Sequence, residues 1–126
     1  MRMVEERKVS RSILHDKAER TCFICSRFLG DYSPRSYLEE HHVFGGPNRR
    51  ISEHYGLKVY LCLKHHEGDI DGQKEAVHRP DNNDYGSRLH KLAQREFEKR
   101  HSHEEFMRKF GRNYLQEDEY VGERTI

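Results

Sequence analysis

The sequence predicts a small α+β domain that is held together by a metal site. Two short segments, 37–44 and 57–63, are rich in β-branched and aromatic residues and are predicted to be strands. Amphipathic helical patterns follow from Ser87 onwards. Two pairs of residues have the spacing of metal ligands. Cys22 and Cys25 precede the first predicted strand, and Cys62 and His65 lie at the end of the second.

The composition indicates a weak hydrophobic core. Of the 126 residues, 33% are hydrophobic and 36% are charged, and there is no tryptophan. A chain with so little apolar material has a small packed region that needs a covalent or metal staple. The three cysteines are an odd number, Met1 to Arg20 is charged throughout, and no segment approaches the roughly 20 apolar residues of a membrane span. These features disfavour a disulfide framework or a membrane protein and favour metal ligation in a reducing cytoplasm.

The charge distribution divides the chain into three parts. Residues 117–126 hold four acidic residues and one arginine, a net charge of −3, so residues 1–116 carry +4 of the total of +1. We interpret 1–20 as a charged lead-in, 21–116 as the domain with its C-terminal helices, and 117–126 as an acidic tail. The positive remainder gives mild support for a nucleic-acid partner.

Each secondary-structure element has a local signal. The first strand is closed by the turn sequence GGPN, and one helical turn is predicted around Lys64 to Glu67. Apolar residues at helical spacing predict a helix from Ser87 to about Arg100. The capping-box sequence SHEE, Ser102 to Glu105, predicts the start of another helix, and Gly111 predicts its end.

The most specific feature is a set of four paired metal ligands. Cys22 and Cys25 lie two residues apart, and Cys62 and His65 are separated by two further residues. Two such knuckles supply the four ligands of a structural zinc ion, and the set includes every cysteine of the chain. Zinc would join the start of the domain to its second strand and contribute directly to folding. Three buried, inert cysteines are the alternative interpretation.

Four further histidines, His41, His42, His66 and His78, lie between and just after the two knuckles. A histidine pair on one strand and another histidine beyond the second strand would suit a catalytic metal, with one side chain binding the ion and its neighbour facing the substrate. Solvated or hydrogen-bonded histidines are the alternative for each of them taken singly.

The ordered segments CFIC, EEHHVFGGPNRR, YGLKVYLCLKHH and VHRP resemble an HNH endonuclease of the His-Me finger, or ββα-metal, superfamily. More narrowly, the chain is similar to the zinc-knuckle nucleases of bacteriophages and prophages, and HEEFMRKFGRNYL resembles the C-terminal segment of that group. The resemblance covers about residues 11–115. It implies a small ββα-metal core stapled by a structural zinc knuckle, with C-terminal helices.

The resemblance also implies roles for single residues. His41 would bind the catalytic metal, His42 would be the general base, and His66 would be a second metal ligand, with His78 completing the shell. An alternative register places Glu40 on the metal and makes His41 the base.

The loop between the strands carries three further expected site residues. Arg49 and Arg50, on the turn, would hold flanking phosphates, although a solvated turn is the alternative. The family's middle asparagine is missing before the second strand, so Asn48 is expected to brace the loop by bonding to the strand-end backbone. Gly68 and Gly72 also depart from the family pattern, because they interrupt the helix that carries the last metal ligands.

The expected function is therefore metal-dependent hydrolysis of DNA phosphodiester bonds, by nicking or double-strand cleavage. The expected cofactors are one structural Zn²⁺ and one catalytic Mg²⁺, Mn²⁺, Ni²⁺ or Zn²⁺. The expected partners are DNA and a phage or host protein that directs cleavage, without a membrane, in the cytoplasm of a bacterial host. The alternatives are a non-catalytic zinc-stabilised module that binds DNA or protein, and a purely structural zinc protein.

Overall fold

The computed structural model describes residues 11–66, residue 77 and residues 85–115. Its architecture is α+β, as predicted, with one antiparallel two-stranded sheet and helices that follow it. The main elements, in chain order, are β1 (Glu39–His42), α1 (Arg49–His54), β2 (Lys58–Leu61), α2 (Leu63–His66), α3 (Tyr85–Arg100) and α4 (His103–Phe110). Within the described ranges, no helix has both the length and the apolar character needed to cross a membrane. The acidic tail, 117–126, lies outside the described residues.

The sheet register sets which side chains share a face. Glu39 pairs with Leu61 and His42 pairs with Lys58, so the two strands align over their full length. Every residue of β2 is buried, which indicates that both faces of this strand are covered. Because successive strand residues project to opposite faces, the adjacent His41 and His42 face different surroundings.

The connection between the strands is more helical than the sequence predicted. The GGPN turn is a 3₁₀ turn, Gly46–Asn48, and it leads directly into α1. Arg49 and Arg50 therefore begin a helix instead of lying on a turn.

The side chain that braces this loop is Ser52, and no hydrogen bond of the Asn48 side chain occurs among the described residues. The buried Ser52 hydroxyl donates to the Leu57 carbonyl at 2.6 Å and accepts the Phe44 N–H at 3.3 Å. A hydroxyl can do both at once, so it ties the end of β1 to the start of β2. Asn48 contributes its backbone N–H, which donates to the Gly45 carbonyl at 3.0 Å.

Residues 11–20 pack on the outer edge of β2, so this part of the lead-in belongs to the folded domain. The Ile13 N–H donates to the Gly56 carbonyl at 2.9 Å, and the Ser12 hydroxyl donates to the Lys58 carbonyl at 2.6 Å. The Tyr60 N–H donates to Nδ1 of the buried His15 at 3.1 Å. These bonds occupy backbone groups that an edge strand would otherwise expose.

The C-terminal helices supply most of the aromatic core. α3 buries Leu89, Ala93 and Phe97, which recur every fourth residue, and α4 buries Phe106 and Phe110. The predicted cap of α4 is present, because the Ser102 hydroxyl accepts the Glu105 N–H at 3.0 Å. The helix ends at Gly111, whose φ of 76° lies in the left-handed region.

Phe44 connects the sheet to these helices. Its ring lies directly after β1, and the ring centroids of Phe110 and Phe106 are 4.6 Å and 5.6 Å from it. The end of β1, where both adjacent histidines lie, is therefore anchored in the hydrophobic core.

Candidate metal centres and histidine sites

The four predicted knuckle residues form one buried cluster that could hold a metal ion such as zinc. The ligand atoms of Cys22, Cys25, Cys62 and His65 all lie within 4.8 Å of one another. Nδ1 of His65 is 3.6 Å, 3.4 Å and 3.4 Å from the sulfurs of Cys22, Cys25 and Cys62. The Cys25 and Cys62 sulfurs are 3.9 Å apart.

These separations match a tetrahedral ion. Zinc bonds of about 2.3 Å to sulfur and about 2.0 Å to nitrogen place S and N about 3.5 Å apart and two sulfurs about 3.8 Å apart. The knuckle backbone also suits a thiolate, because the Cys25 N–H points to the Cys22 sulfur at 3.4 Å. The four side chains therefore fit a zinc ion in donor type and spacing.

The protonation of the cluster also indicates a need for a cation. A hydrogen bond with Cys62, together with burial, raises the pKa of Cys22, and burial raises the pKa of Cys25. The same bond to Cys22 lowers the pKa of Cys62 to about 3. Burial thus opposes the thiolate form at Cys22 and Cys25, and a bound cation would favour it.

Arg35 is a neighbour of this cluster that sequence reasoning missed. Its Nη2 donates to the Cys25 sulfur at 3.1 Å, and its backbone N–H donates to the Arg20 carbonyl at 2.8 Å. Three thiolates and one neutral imidazole around Zn²⁺ carry a net charge of −1, which the guanidinium would offset. Its ten-residue distance from Cys25 follows no motif, so only the tertiary structure reveals this contact.

The second cluster lies on one face of β1 and contains Glu39, His41 and His66. The His41 and His66 ring centroids are 5.2 Å apart, and a Glu39 carboxylate oxygen is 2.7 Å from Nδ1 of His66. His66 follows the knuckle residue His65 on α2, so its ring turns away from the Cys cluster toward the sheet. Two of the predicted catalytic metal ligands are thus brought together, whereas His78 lies outside the described residues.

The third cluster lies on the opposite face of β1 and contains His42. Nε2 of His42 donates to the Glu53 carboxylate at 2.7 Å, while Nδ1 accepts Nε–H of Arg49 at 3.3 Å. These two contacts fix one tautomer of the imidazole, with its lone pair on Nδ1. Arg50, the other arginine predicted to contact phosphate, is exposed beside Arg49.

Glu40, His42 and Glu53 are close enough to share a cation, but an ammonium group already occupies this position. Nζ of Lys58 lies 3.0 Å from carboxylate oxygens of both Glu40 and Glu53. Burial alone would lower the pKa of Lys58, but the hydrogen bonds to these carboxylates outweigh that effect and raise it. Lys58 therefore stays charged, and this face does not fit a divalent ion. The alternative register, with Glu40 on a metal, would require the Lys58 ammonium to leave this position.

The missed residues of the histidine sites, Glu39, Glu53 and Lys58, had weak signals in the sequence. The acidic pair before the histidines, EEHH, offered a hint at Glu39, because alternate strand residues share a face.

Comparison of the chain with known protein families, with curated proteins and with solved structures finds no match.

Proposed function

We propose that this protein is a metal-dependent HNH endonuclease that hydrolyses DNA phosphodiester bonds, with β1, β2 and α2 as its ββα-metal core. The observation that carries the proposal is the environment of the adjacent histidines. His41 lies beside His66 on one face of β1, and His42 is held by Glu53 on the other. The first pair suits metal binding and the second arrangement suits a general base.

On the metal side, His41 and His66 would hold the ion. The Glu39 carboxylate at 2.7 Å from His66 Nδ1 holds the proton there and leaves the lone pair on Nε2. A carboxylate behind a histidine is the usual support of a metal-binding imidazole. When bound, a divalent ion neutralises phosphate charge and stabilises the leaving 3′ oxygen.

On the base side, His42 would take a proton from the attacking water at Nδ1. Glu53 holds Nε2–H, orients the ring and stabilises the imidazolium that forms. Arg49 donates to Nδ1 at 3.3 Å. We expect a DNA phosphate to draw this guanidinium away from Nδ1, so that substrate binding both anchors the phosphate and exposes the base.

The opposite orientation of the two histidines fits the geometry of the reaction. In phosphoryl transfer the attacking and leaving oxygens are roughly in line on opposite sides of phosphorus. Adjacent residues at the end of a strand project to opposite sides as well. A phosphate at the end of β1 could therefore meet the base on one side and the metal site on the other.

The Cys cluster would have a structural role in this proposal. Its ligands come from two segments about 40 residues apart, and all four positions are filled by protein atoms, which is the closed arrangement of structural zinc. It would hold α2, and with it His66, in place beside the sheet.

The proposal is tested by nicking of a supercoiled plasmid in Mg²⁺, Mn²⁺, Ni²⁺ or Zn²⁺. His41→Ala and His42→Ala should each lower the nicking rate at least 100-fold while the protein keeps one bound zinc and its melting temperature. His103→Ala, in the exposed first turn of α4, is the matched control and should remain active. Absence of cleavage in every metal by folded, zinc-loaded protein would instead support the non-catalytic DNA- or protein-binding module.

A further inference from the structure

A wide groove with a volume of about 1330 Å³ lies beside the face of the sheet that carries His42. It is lined by residues 11–20, by residues 35–38, by Arg27, and by the sheet residues Glu40, Lys58 and Tyr60. Its volume exceeds the roughly 300–1,000 Å³ of a typical small-molecule pocket. The groove is therefore large enough for a segment of a polymer.

The lining of this groove has more cationic than acidic side chains. It is lined by three carboxylates, those of Asp16, Glu19 and Glu40. It is also lined by six cationic side chains, those of Arg11, Lys17, Arg20, Arg27, Arg35 and Lys58. Because the whole chain has a net charge of only +1, the cationic excess is concentrated here. Arg27, Arg35 and Lys58 are paired with carboxylates. The uncompensated charge of the groove therefore comes from Arg11, Lys17 and Arg20, which take part in no ion pair among the described residues.

Arg20 has a backbone conformation that favours glycine. Its φ of 58° is the one positive value among the non-glycine residues that the structure describes. The position follows the 3₁₀ turn Lys17–Glu19, where the chain needs a left-handed residue. The exposed Arg20 side chain lines the groove from this position, although glycine would adopt the same backbone conformation at lower cost.

Aromatic rings accompany these charges. Tyr37 lines the groove with 59% of its surface exposed, and its hydroxyl donates to Glu39 at 2.8 Å. Tyr60 lies at the groove floor with Nζ of Lys17 5.9 Å from its ring centroid. Tyr60 is only 8% exposed, so Tyr37 provides the accessible ring. Cationic side chains beside an exposed aromatic ring are typical of surfaces that bind single-stranded nucleic acids, in which bases stack on the ring.

The groove also runs toward the proposed general base. Glu40 and His42 share a face of β1, about 7 Å apart along the strand, and Lys58 pairs with His42 across the sheet. We propose that the groove binds the sugar–phosphate backbone of a single nucleic-acid strand and leads it to His42, with a base stacked on Tyr37. The direction of the strand rests on the proposed function, whereas its binding does not.

The test measures binding without cleavage. Fluorescence anisotropy is recorded with a labelled 16-nucleotide single strand and with its duplex, using the full zinc-loaded chain and no added catalytic ion. Arg20→Gly should weaken single-strand binding several-fold and lower the slope of log K against log salt by about 0.7. Because this change also relieves the left-handed arginine, the melting temperature should not fall.

A second pair of variants tests the aromatic contact. Tyr37→Leu should weaken single-strand binding roughly tenfold, because stacking on an aromatic ring is lost. Tyr37→Phe retains the ring and should bind as the unmodified chain does. The control for general charge is Arg100→Ser, at the exposed end of α3, which should change the affinity less than twofold.

Four results would overturn the proposal that the groove binds a single strand. They are unchanged affinity of Arg20→Gly and Tyr37→Leu, an equal loss of affinity in Arg100→Ser, tighter binding of the duplex, and displacement of the strand by polyglutamate at equal charge. The last result would indicate that the groove binds an acidic polypeptide. If the protein nicks DNA but the groove variants bind the strand normally, the groove proposal is wrong and the nuclease proposal stands. If the variants lose binding as expected but the protein nicks DNA in no metal, the groove proposal stands and the nuclease proposal is wrong.

Discussion

The buried Lys58 offers a test of whether the network around His42 stabilises the fold or only orients the proposed base. Its side chain is 1% exposed, and its ammonium contacts Glu40 and Glu53, whose side chains are 39% and 26% exposed. Removing one partner of a buried ion pair costs about 3–5 kcal/mol, because the other charge stays buried. Since Glu40 remains at 3.0 Å, we expect Glu53→Ala to cost about 2–3 kcal/mol of unfolding free energy.

Lys58→Met should behave differently. Methionine fills a similar volume and needs no counter-charge, Glu53 keeps His42 at 2.7 Å, and the Glu40 carboxylate faces solvent. Replacing a buried charge by an apolar group of similar shape is often neutral, so the expected change is below about 1 kcal/mol. The double variant should be more stable than Glu53→Ala alone, because it leaves no buried unpaired ammonium.

Urea denaturation followed by circular dichroism measures these differences, with zinc content determined for each variant. If Lys58→Met is destabilised as much as Glu53→Ala, the ion network itself stabilises the fold and the reasoning fails. If both are neutral, Lys58 is better solvated than its burial indicates.

Three further predictions concern the staple and the packing of residues 11–20. A strong chelator should remove one zinc per chain and abolish the cooperative melting transition, and Cys22→Ala should do the same; a normal transition in metal-free protein would refute the structural site. Gly56→Ala should be more destabilising than Gly111→Ala, although both glycines have a positive φ. A Cβ added at Gly56 would lie 2.4 Å from the Arg11 carbonyl oxygen, whereas nothing lies within 4 Å of a Cβ added at Gly111. We expect about 1 kcal/mol at Gly111 and at least about 3 kcal/mol at Gly56 in urea denaturation, and equal losses would contradict the close approach. Burial, and to a lesser extent Arg27, lower the pKa of His15 to about 4 from its ordinary value of 6.5. As the pH falls, the unfolded chain binds this proton before the folded chain does, so His15 should lower the unfolding free energy by up to about 3 kcal/mol between pH 6.5 and pH 4. His15→Asn keeps an acceptor for the Tyr60 N–H, and its unfolding free energy should lack this component of the pH dependence.

Features that depend on local spacing could be predicted from the sequence. The Cys and His pairs, the capping box at Ser102 and the fourfold recurrence of apolar residues in α3 each follow from geometry within one segment. The α+β class and the positions of both strands follow in the same way from β-branched and aromatic runs.

The loop helix and the side-chain networks could not be predicted in this way. α1 has six residues, too few for an apolar period to stand out, and the turn signal of GGPN precedes it directly. Ser52 replaces Asn48 as the brace because a buried hydroxyl at that point reaches both strand ends. The partners of His42 and His66 come from residues 11 and 27 positions away, and no spacing rule links them.

The alternation of β1 separates the two proposed chemical roles by the thickness of one peptide backbone. Residues 39 and 41 belong to one compartment and residues 40 and 42 to the other, and the hydrogen-bond and ion-pair partners identified for them in the described part of the chain differ. Each compartment can therefore be redesigned on its own, for example by changing positions 39 and 41 of the proposed metal site without altering the proposed base. The same arrangement makes the strand intolerant of length changes, because inserting or deleting a single residue would exchange the contents of the two compartments.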